Sequence, residues 1–131
     1  MIVVDTHVII WDALKPKLLS KKAKNAIKEA NKRDGIVFCE ISLWEIAMLV
    51  KKARISIDTS YQDFIKIVFL SNKYQFKGIT PEIAELSTSL PEEVNKDPAD
   101  RIIAATSLIY KIPLVTTDKN LLNADSIKTI W

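Results

Sequence analysis

Short β-branched runs that alternate with amphipathic helical segments constrain the fold of this chain more than any other feature. The runs predict strands at residues 2–4, 36–39, 76–79, 113–116 and 127–131. Helices are predicted over residues 20–32, 42–52, 61–70 and 102–110, and after Thr80-Pro81. This alternation predicts an α/β fold, in which helices cover both faces of a mostly parallel sheet through right-handed crossovers.

Local capping signals support several of these boundaries. Ser20 can cap the first of the predicted helices, and Asp34-Gly35 can end it. Thr80-Pro81 and Asp97-Pro98 each place a capping side chain directly before a proline, a combination typical of helix starts. The adjacent helices over residues 42–52 and 61–70 predict a protruding apolar hairpin.

Composition sets limits on the class of protein. The chain has 131 residues, 48% of them hydrophobic, so we expect one domain over residues 1–131. The net charge of +3 permits nucleic-acid binding without indicating it. Cys39 is the only cysteine and fits a small core residue. Since the sequence shows neither a signal peptide nor a long apolar run, we expect a cytoplasmic protein without a membrane span.

Four carboxylates follow strands or begin helices, where the carboxyl edge of a parallel sheet gathers functional groups. They are Asp5, Glu45, Asp100 and Asp118. Each also has a structural interpretation: Asp5 and Asp118 can cap helices, Asp100 suits a first helical turn, and Glu45 completes a capping box with Ser42. Judged singly, none is diagnostic.

The four acids together predict a metal site. Carboxylates brought close together disfavour one another's ionised form unless a cation or protons neutralise them. The chain has no histidine or cysteine cluster, and oxygen ligands favour Mg²⁺ or Mn²⁺ over zinc. Such ions catalyse phosphodiester hydrolysis. Thr116 and Ser42 are candidates for holding metal-bound water.

The sequence resembles the PIN-domain family, and within it the VapC-like toxins. The resemblance rests on an ordered set of motifs, Asp5-Thr6-His7, the run from Ser42 to Glu45, the run from Asp97 to Thr106, and Thr116-Thr-Asp118. It extends over the whole chain, to Ile130-Trp131.

The resemblance implies a three-layer α/β/α sandwich and a Mg²⁺- or Mn²⁺-dependent endoribonuclease. It also implies a homodimer, inhibited by a small antitoxin encoded beside it. Asp5, Glu45, Asp100 and Asp118 match the acidic quartet of the family, and Thr116 matches its hydroxyl position. Asp97 is interpreted mainly as a helix cap, with a metal-site role as the alternative.

Other chemically capable residues have structural interpretations that we favour. We expect His7 to be structural, and Arg101 to pair with a nearby acid or to pack over the site, with a phosphate contact as the less favoured alternative. Trp11, Trp44 and Trp131 fit core or dimer packing better than base stacking.

Two groups of basic residues are candidates for contact with the RNA backbone, although a solvated helix face explains any single one of them. The first group is Lys15, Lys17, Lys21, Lys22, Lys24 and Lys28, and the second is Lys51, Lys52 and Arg54. The sequence does not choose between them, nor between transfer, ribosomal and messenger RNA.

Two other functions remain compatible with the sequence. One is a non-catalytic PIN-like module that binds RNA or protein and keeps its acids as helix caps. The other is a metal-dependent phosphohydrolase that acts on DNA. Four carboxylates suffice for one ion or for two.

Overall fold

A five-stranded sheet in which every neighbouring pair is parallel forms the centre of the protein, in the strand order β3-β2-β1-β4-β5. The structure is a computed structural model that describes residues 1–131. Its strands are β1 (Ile2–Val4), β2 (Ile36–Cys39), β3 (Tyr74–Lys77), β4 (Leu114–Val115) and β5 (Thr129–Ile130). The predicted α/β class is confirmed.

Seven α-helices connect and cover the strands. They are α1 (Thr6–Leu14), α2 (Lys21–Lys32), α3 (Glu40–Lys51), α4 (Tyr61–Ser71), α5 (Pro81–Ser89), α6 (Pro98–Tyr110) and α7 (Lys119–Leu122), with a short 3₁₀ turn at Pro16–Leu18. None of them is both long and apolar enough to cross a membrane.

Alternating side chains along the strands build two cores, one on each face of the sheet. On β1, Ile2 and Val4 pack with residues of α1 to α4, whereas Val3 packs with residues of α5, α6 and α7. Helices therefore lie on both faces, and the three-layer α/β/α arrangement is confirmed. Cys39 is buried in the second core as a free thiol, as expected.

The predicted helix caps agree with the structure at three places. The side chains of Ser20, Thr80 and Asp97 accept hydrogen bonds from backbone N–H groups of the helices that follow them. Gly35, three residues after the end of α2, has φ +98, a left-handed conformation that suits glycine.

Several boundaries differ from the prediction: β4 and β5 are shorter than predicted, and β3 ends at Lys77 instead of residue 79. Strand β3 begins at Tyr74 instead of residue 76, because the Tyr74 ring packs edge-on against Phe38, with ring centroids 5.5 Å apart. Helix α3 begins at Glu40 instead of Ser42, because the chain passes directly from β2 into the helix. The capping box of Ser42 and Glu45 is therefore wrong, and Glu45 lies in the second turn.

Candidate active site

The first turns that follow β1 and β4 place two of the predicted acids side by side. Asp5 caps α1 and Asp118 caps α7, each accepting a 3.0 Å hydrogen bond at Oδ1, from Val8 N and Leu121 N respectively. These caps match the structural interpretation of both acids.

Thr116 joins these two acids. Its hydroxyl donates to Asp5 Oδ2 and accepts from the backbone N–H of Asp118 at 3.0 Å. Thr116 is fully buried, so water does not compete for these bonds. The hydroxyl therefore fixes a carboxylate directly, and its role in holding metal-bound water stays a prediction.

Glu45 is held from the side of α1. The Thr6 hydroxyl donates to Glu45 Oε1 and lies 2.9 Å from the Ser42 hydroxyl. Because the Thr6 proton is directed to the carboxylate, Ser42 is the donor of the second bond. Ser42 is fully buried and supports Glu45 indirectly, through its hydrogen bond to Thr6.

Asp97 and Asp100 complete an acidic group with Glu45. One carboxylate oxygen from each of the three lies within 4.8 Å of those of the other two, a spacing compatible with a shared metal ion. Asp97 also caps α6, since its Oδ1 accepts from Ala99 N at 2.8 Å and from Asp100 N at 3.3 Å.

Asn95 bridges two of the acids. Its side-chain amide donates to Asp100 Oδ2 at 3.0 Å and to Asp118 Oδ2 at 3.1 Å. Its Oδ1 accepts from the backbone N–H of Asp97 at 2.8 Å. The five carboxylates Asp5, Glu45, Asp97, Asp100 and Asp118, referred to below as the acidic cluster, therefore form one connected group.

The electrostatics of the cluster oppose full ionisation in the metal-free protein. Burial is the largest cause that raises the pKa of Asp5 and of Glu45 above the ordinary carboxyl range. Burial, followed by the charges of Asp97, Glu45, Asp118 and Asp5, raises the pKa of Asp100 to about 7. A bound cation would reverse this effect.

No basic side chain forms an ion pair with the acidic cluster. The only ion pair within 4.0 Å in the protein joins Lys32 and Glu29, on the surface of α2. Arg101, expected to pair with an acid or to pack over the site, donates to backbone carbonyls of residues 87–95, so the predicted ion pair is wrong. The donor set of the cluster is entirely oxygen, which fits Mg²⁺ or Mn²⁺.

Other predicted residues lie outside the acidic cluster, although the charge of His7 partly offsets the burial that raises the pKa of Asp5 and of Glu45. His7 is exposed and packs against Trp11, with ring centroids 5.9 Å apart. Trp11 also packs against Trp131, whereas Trp44 is 60% exposed and is not part of the core. Both groups of basic residues are exposed.

Sequence reasoning missed Thr6 and Asn95. Thr6 lies within a quoted motif, directly after Asp5, and its position was a signal that could have been used. Asn95 is two residues before the Asp97 cap, and only its burial, at 7% exposure, distinguishes it from an ordinary loop residue.

Comparison with known proteins agrees with this geometry. The PIN domain family model matches residues 2–127. Ribonuclease VapC22 of Mycobacterium tuberculosis is 33% identical over 120 residues, which are 92% of this chain and 88% of the relative.

Solved structures share the fold at low sequence identity. VapBC2 from Rickettsia felis, bound to a DNA fragment from its promoter, matches with a TM-score of 0.74 and 18% identity, covering 98% of this chain and 97% of the other. DNA-bound VapBC from Salmonella typhimurium matches with a TM-score of 0.69 and 15% identity, with the same coverage. A toxin–antitoxin complex from Klebsiella pneumoniae matches with a TM-score of 0.65 and 20% identity, covering 96% of this chain and 94% of the other.

An α/β/α sandwich with an acidic cluster at the carboxyl edge of its sheet is the architecture of a PIN-type domain. The chain belongs to the PIN-domain family. Its predicted assignment to the VapC-like ribonuclease toxins is confirmed.

Proposed function

We propose that this protein is a metal-dependent endoribonuclease and the toxin of a toxin–antitoxin pair. The observation that carries the proposal is a cluster of five carboxylates without a single basic side chain paired to it. Asp5 and Glu45 are buried, Asp100 and Asp118 are partly buried, and Asp97 is exposed. Carboxylates this close together favour uptake of protons or a cation at neutral pH.

Glu45, Asp97 and Asp100 are the residues best prepared to hold the ion. Each of them has one carboxylate oxygen that accepts no hydrogen bond from the protein: Oε2, Oδ2 and Oδ1 respectively. Asp5 and Asp118 accept a hydrogen bond at both oxygens, and each oxygen keeps a second lone pair that can face a cation. We therefore propose that all five acids contribute to the site.

The residues present fit Mg²⁺ or Mn²⁺, which when bound would polarise the scissile phosphate and lower the pKa of water. The protein itself supplies orientation. Thr116 holds Asp5, Thr6 holds Glu45, and Asn95 holds Asp100 and Asp118. This support limits reorganisation of the carboxylates when RNA binds.

A small antitoxin and a second copy of the chain are the proposed protein partners. The antitoxin is supported by the structural relatives, which include toxin–antitoxin complexes. The homodimer is supported by apolar side chains exposed on α3 and α4, namely Trp44 at 60%, Ile67 at 58% and Leu70 at 87%.

The first experiment is cleavage of total cellular RNA by purified, antitoxin-free protein, with EDTA, Mg²⁺ or Mn²⁺. Asp5→Asn is the matched inactive variant, and Asp12→Asn on the same helix is the control. Discrete cleavage that requires the ion and disappears only in Asp5→Asn supports the proposal. Cleavage that persists in Asp5→Asn contradicts the assignment of this site.

A non-catalytic module is the second candidate, because Asp5, Asp97 and Asp118 do cap helices. The position of Glu45 argues against a non-catalytic module, since this residue is buried in the second turn of α3 and does not cap the helix. Failure of well-folded protein to cleave any RNA, despite Mn²⁺ binding, would favour the module. Competition by single-stranded or duplex DNA in the same assay tests a DNA substrate.

A further inference from the structure

Arg101 anchors the loop that carries Asn95. Its guanidinium donates from Nε to Ser87 O at 2.8 Å, from Nη1 to Pro91 O at 3.2 Å, and from Nη2 to Leu90 O. Ser87 and Leu90 lie at the end of α5, where carbonyls lack partners within the helix. The side chain thus joins the start of α6 to the end of α5.

The same guanidinium also holds Asn95 itself. Arg101 Nη1 donates to the backbone carbonyl of Asn95 at 2.9 Å, while the Asn95 Oδ1 accepts from Asp97 N at 2.8 Å. The loop between α5 and α6 is further fixed by Leu90 and Val94, which are buried in the second core. Asn95 therefore has little freedom to move.

The hydrogen bonds of Asn95 determine which way its amide points. Both N–H groups of Nδ2 meet carboxylate oxygens, and reversing the amide would place its oxygen against Asp100 and Asp118. All the donors of this side chain are used, and both go to acids of the cluster. Asn95 is thus the uncharged donor shared by the acids of α6 and α7.

We propose that Asn95 and Arg101 are positioning residues of the active site, acting in series. Arg101 fixes the loop, the loop fixes Asn95, and the Asn95 amide sets the separation and orientation of the Asp100 and Asp118 carboxylates. Neither residue touches RNA in this scheme. The inference rests on the proposed function, since it assigns a role within that site.

Two substitutions at position 95 separate positioning from charge. Asn95→Ala removes both donors, whereas Asn95→Asp keeps the shape and adds a negative charge. Loss of residues that orient metal ligands costs about 10- to 100-fold in metal affinity or activity. We expect Asn95→Ala to weaken Mn²⁺ binding about tenfold and lower kcat by at least that factor, with less than a twofold change in the KM for RNA.

Asn95→Asp tests the alternative that net charge alone matters. If charge decided, the added carboxylate would tighten Mn²⁺ binding and preserve cleavage. We expect kcat to fall about tenfold in this variant even where Mn²⁺ is bound, because the two acids lose their shared donor. Asn25→Ala, at an exposed position of α2, is the matched control and should behave as the wild type.

A double-mutant cycle tests the serial arrangement. Arg101→Lys keeps the charge but loses the planar fork that reaches several carbonyls. We expect it to speed amide hydrogen exchange in residues 87–95 and to lower kcat. Because Arg101 acts through Asn95, the double variant should lose no more activity than Asn95→Ala alone.

Mn²⁺ affinity, measured by electron paramagnetic resonance on folded protein, distinguishes failure of this inference from failure of the proposed function. Unchanged Mn²⁺ affinity and kcat in both Asn95 variants, with an active wild type, would overturn the inference alone. Multiplying effects in the double variant would overturn the serial arrangement. If the wild type cleaves no RNA, the proposed function fails, and Mn²⁺ affinity and hydrogen exchange still decide the positioning role.

Discussion

The Thr6 hydroxyl donates a hydrogen bond to Glu45 Oε1, linking the first turn of α1 to the second turn of α3. Both residues are buried, Thr6 at 2% and Glu45 at 8% exposure. Burying a carboxylate costs free energy unless hydrogen-bond donors face its oxygens. Thr6 is therefore the residue that makes a buried acid at position 45 tolerable.

Replacing Thr6 tests this dependence. Thr6→Val has the same shape without the hydroxyl, and we expect it to destabilise the metal-free protein by about 1 to 3 kcal/mol. Cleavage should fall about tenfold, since Glu45 loses its orientation. Urea unfolding and RNA cleavage measure the two effects. Thr6→Ser keeps the donor and should recover most of both; a serine variant as impaired as the valine variant would argue against the hydroxyl.

Asp97 offers a test of its two roles. Asn is as good a helix cap as Asp, so Asp97→Asn should change stability by only about a few tenths of a kcal/mol. Asp97→Ala removes the cap and should cost about 1 kcal/mol. If Asp97 also holds the ion, Asp97→Asn lowers Mn²⁺ affinity about tenfold despite its normal stability. Titration with Mn²⁺ decides the matter, and wild-type affinity in the asparagine variant would leave Asp97 as a cap alone.

The metal-free protein should lose stability as the pH rises. The pKa of Asp100 is raised to about 7 in the folded protein, by burial first and by neighbouring carboxylates second, from an ordinary value of 3.8. The protonated carboxyl is favoured by the fold, so its stabilising contribution is complete below about pH 4 and is lost as the pH rises through 7.

Mn²⁺ should reverse this trend, because in the proposed site the ion would bind the ionised carboxylates. At 100 times its Kd it adds about 2.7 kcal/mol. We expect the melting temperature in EDTA to fall from pH 5 to pH 8, and the rise caused by Mn²⁺ to grow over the same interval. Asp100→Asn should flatten both dependences. If the melting temperatures of the wild type and the variant depend on pH in the same way, Asp100 is not the group that causes the dependence.

Cys39 should be unreactive in the folded protein. Burial raises the pKa of its thiol to about 12, from an ordinary value of 9.0. At pH 8 roughly one thiol in ten thousand is then ionised, and only the thiolate is alkylated. We expect iodoacetamide to modify Cys39 at the rate of global unfolding. Rapid modification of native protein, with retained activity, would indicate a local opening of the second core.

The sequence predicted much of the fold because its strongest signals are local. Ser20, Thr80-Pro81 and Asp97-Pro98 determine helix starts through bonds that span two or three residues. The same local signals point to Asp5, Asp100 and Asp118, each of which follows a strand or begins a helix.

Local sequence patterns did not predict the side-chain contacts that join residues far apart in the chain. Ser42 and Glu45 have the spacing of a capping box, yet the helix begins at Glu40, and Thr6 engages both side chains instead. Asn95 contacts Asp118 across 23 positions, and no pattern near Asn95 encodes that contact. Residues such as these become visible only when the sheet has brought its connections together.

The bond from Thr116 to Asp5 spans 111 positions, and it depends on the parallel pairing of β1 with β4. Contacts this remote in sequence form late and slowly, because the entropic cost of closing the long loop comes before the contacts contribute any stabilisation. Assembly of the acidic cluster is thus coupled to completion of the whole sheet. Partly folded intermediates should lack nuclease activity, and during refolding cleavage should return in the slowest phase.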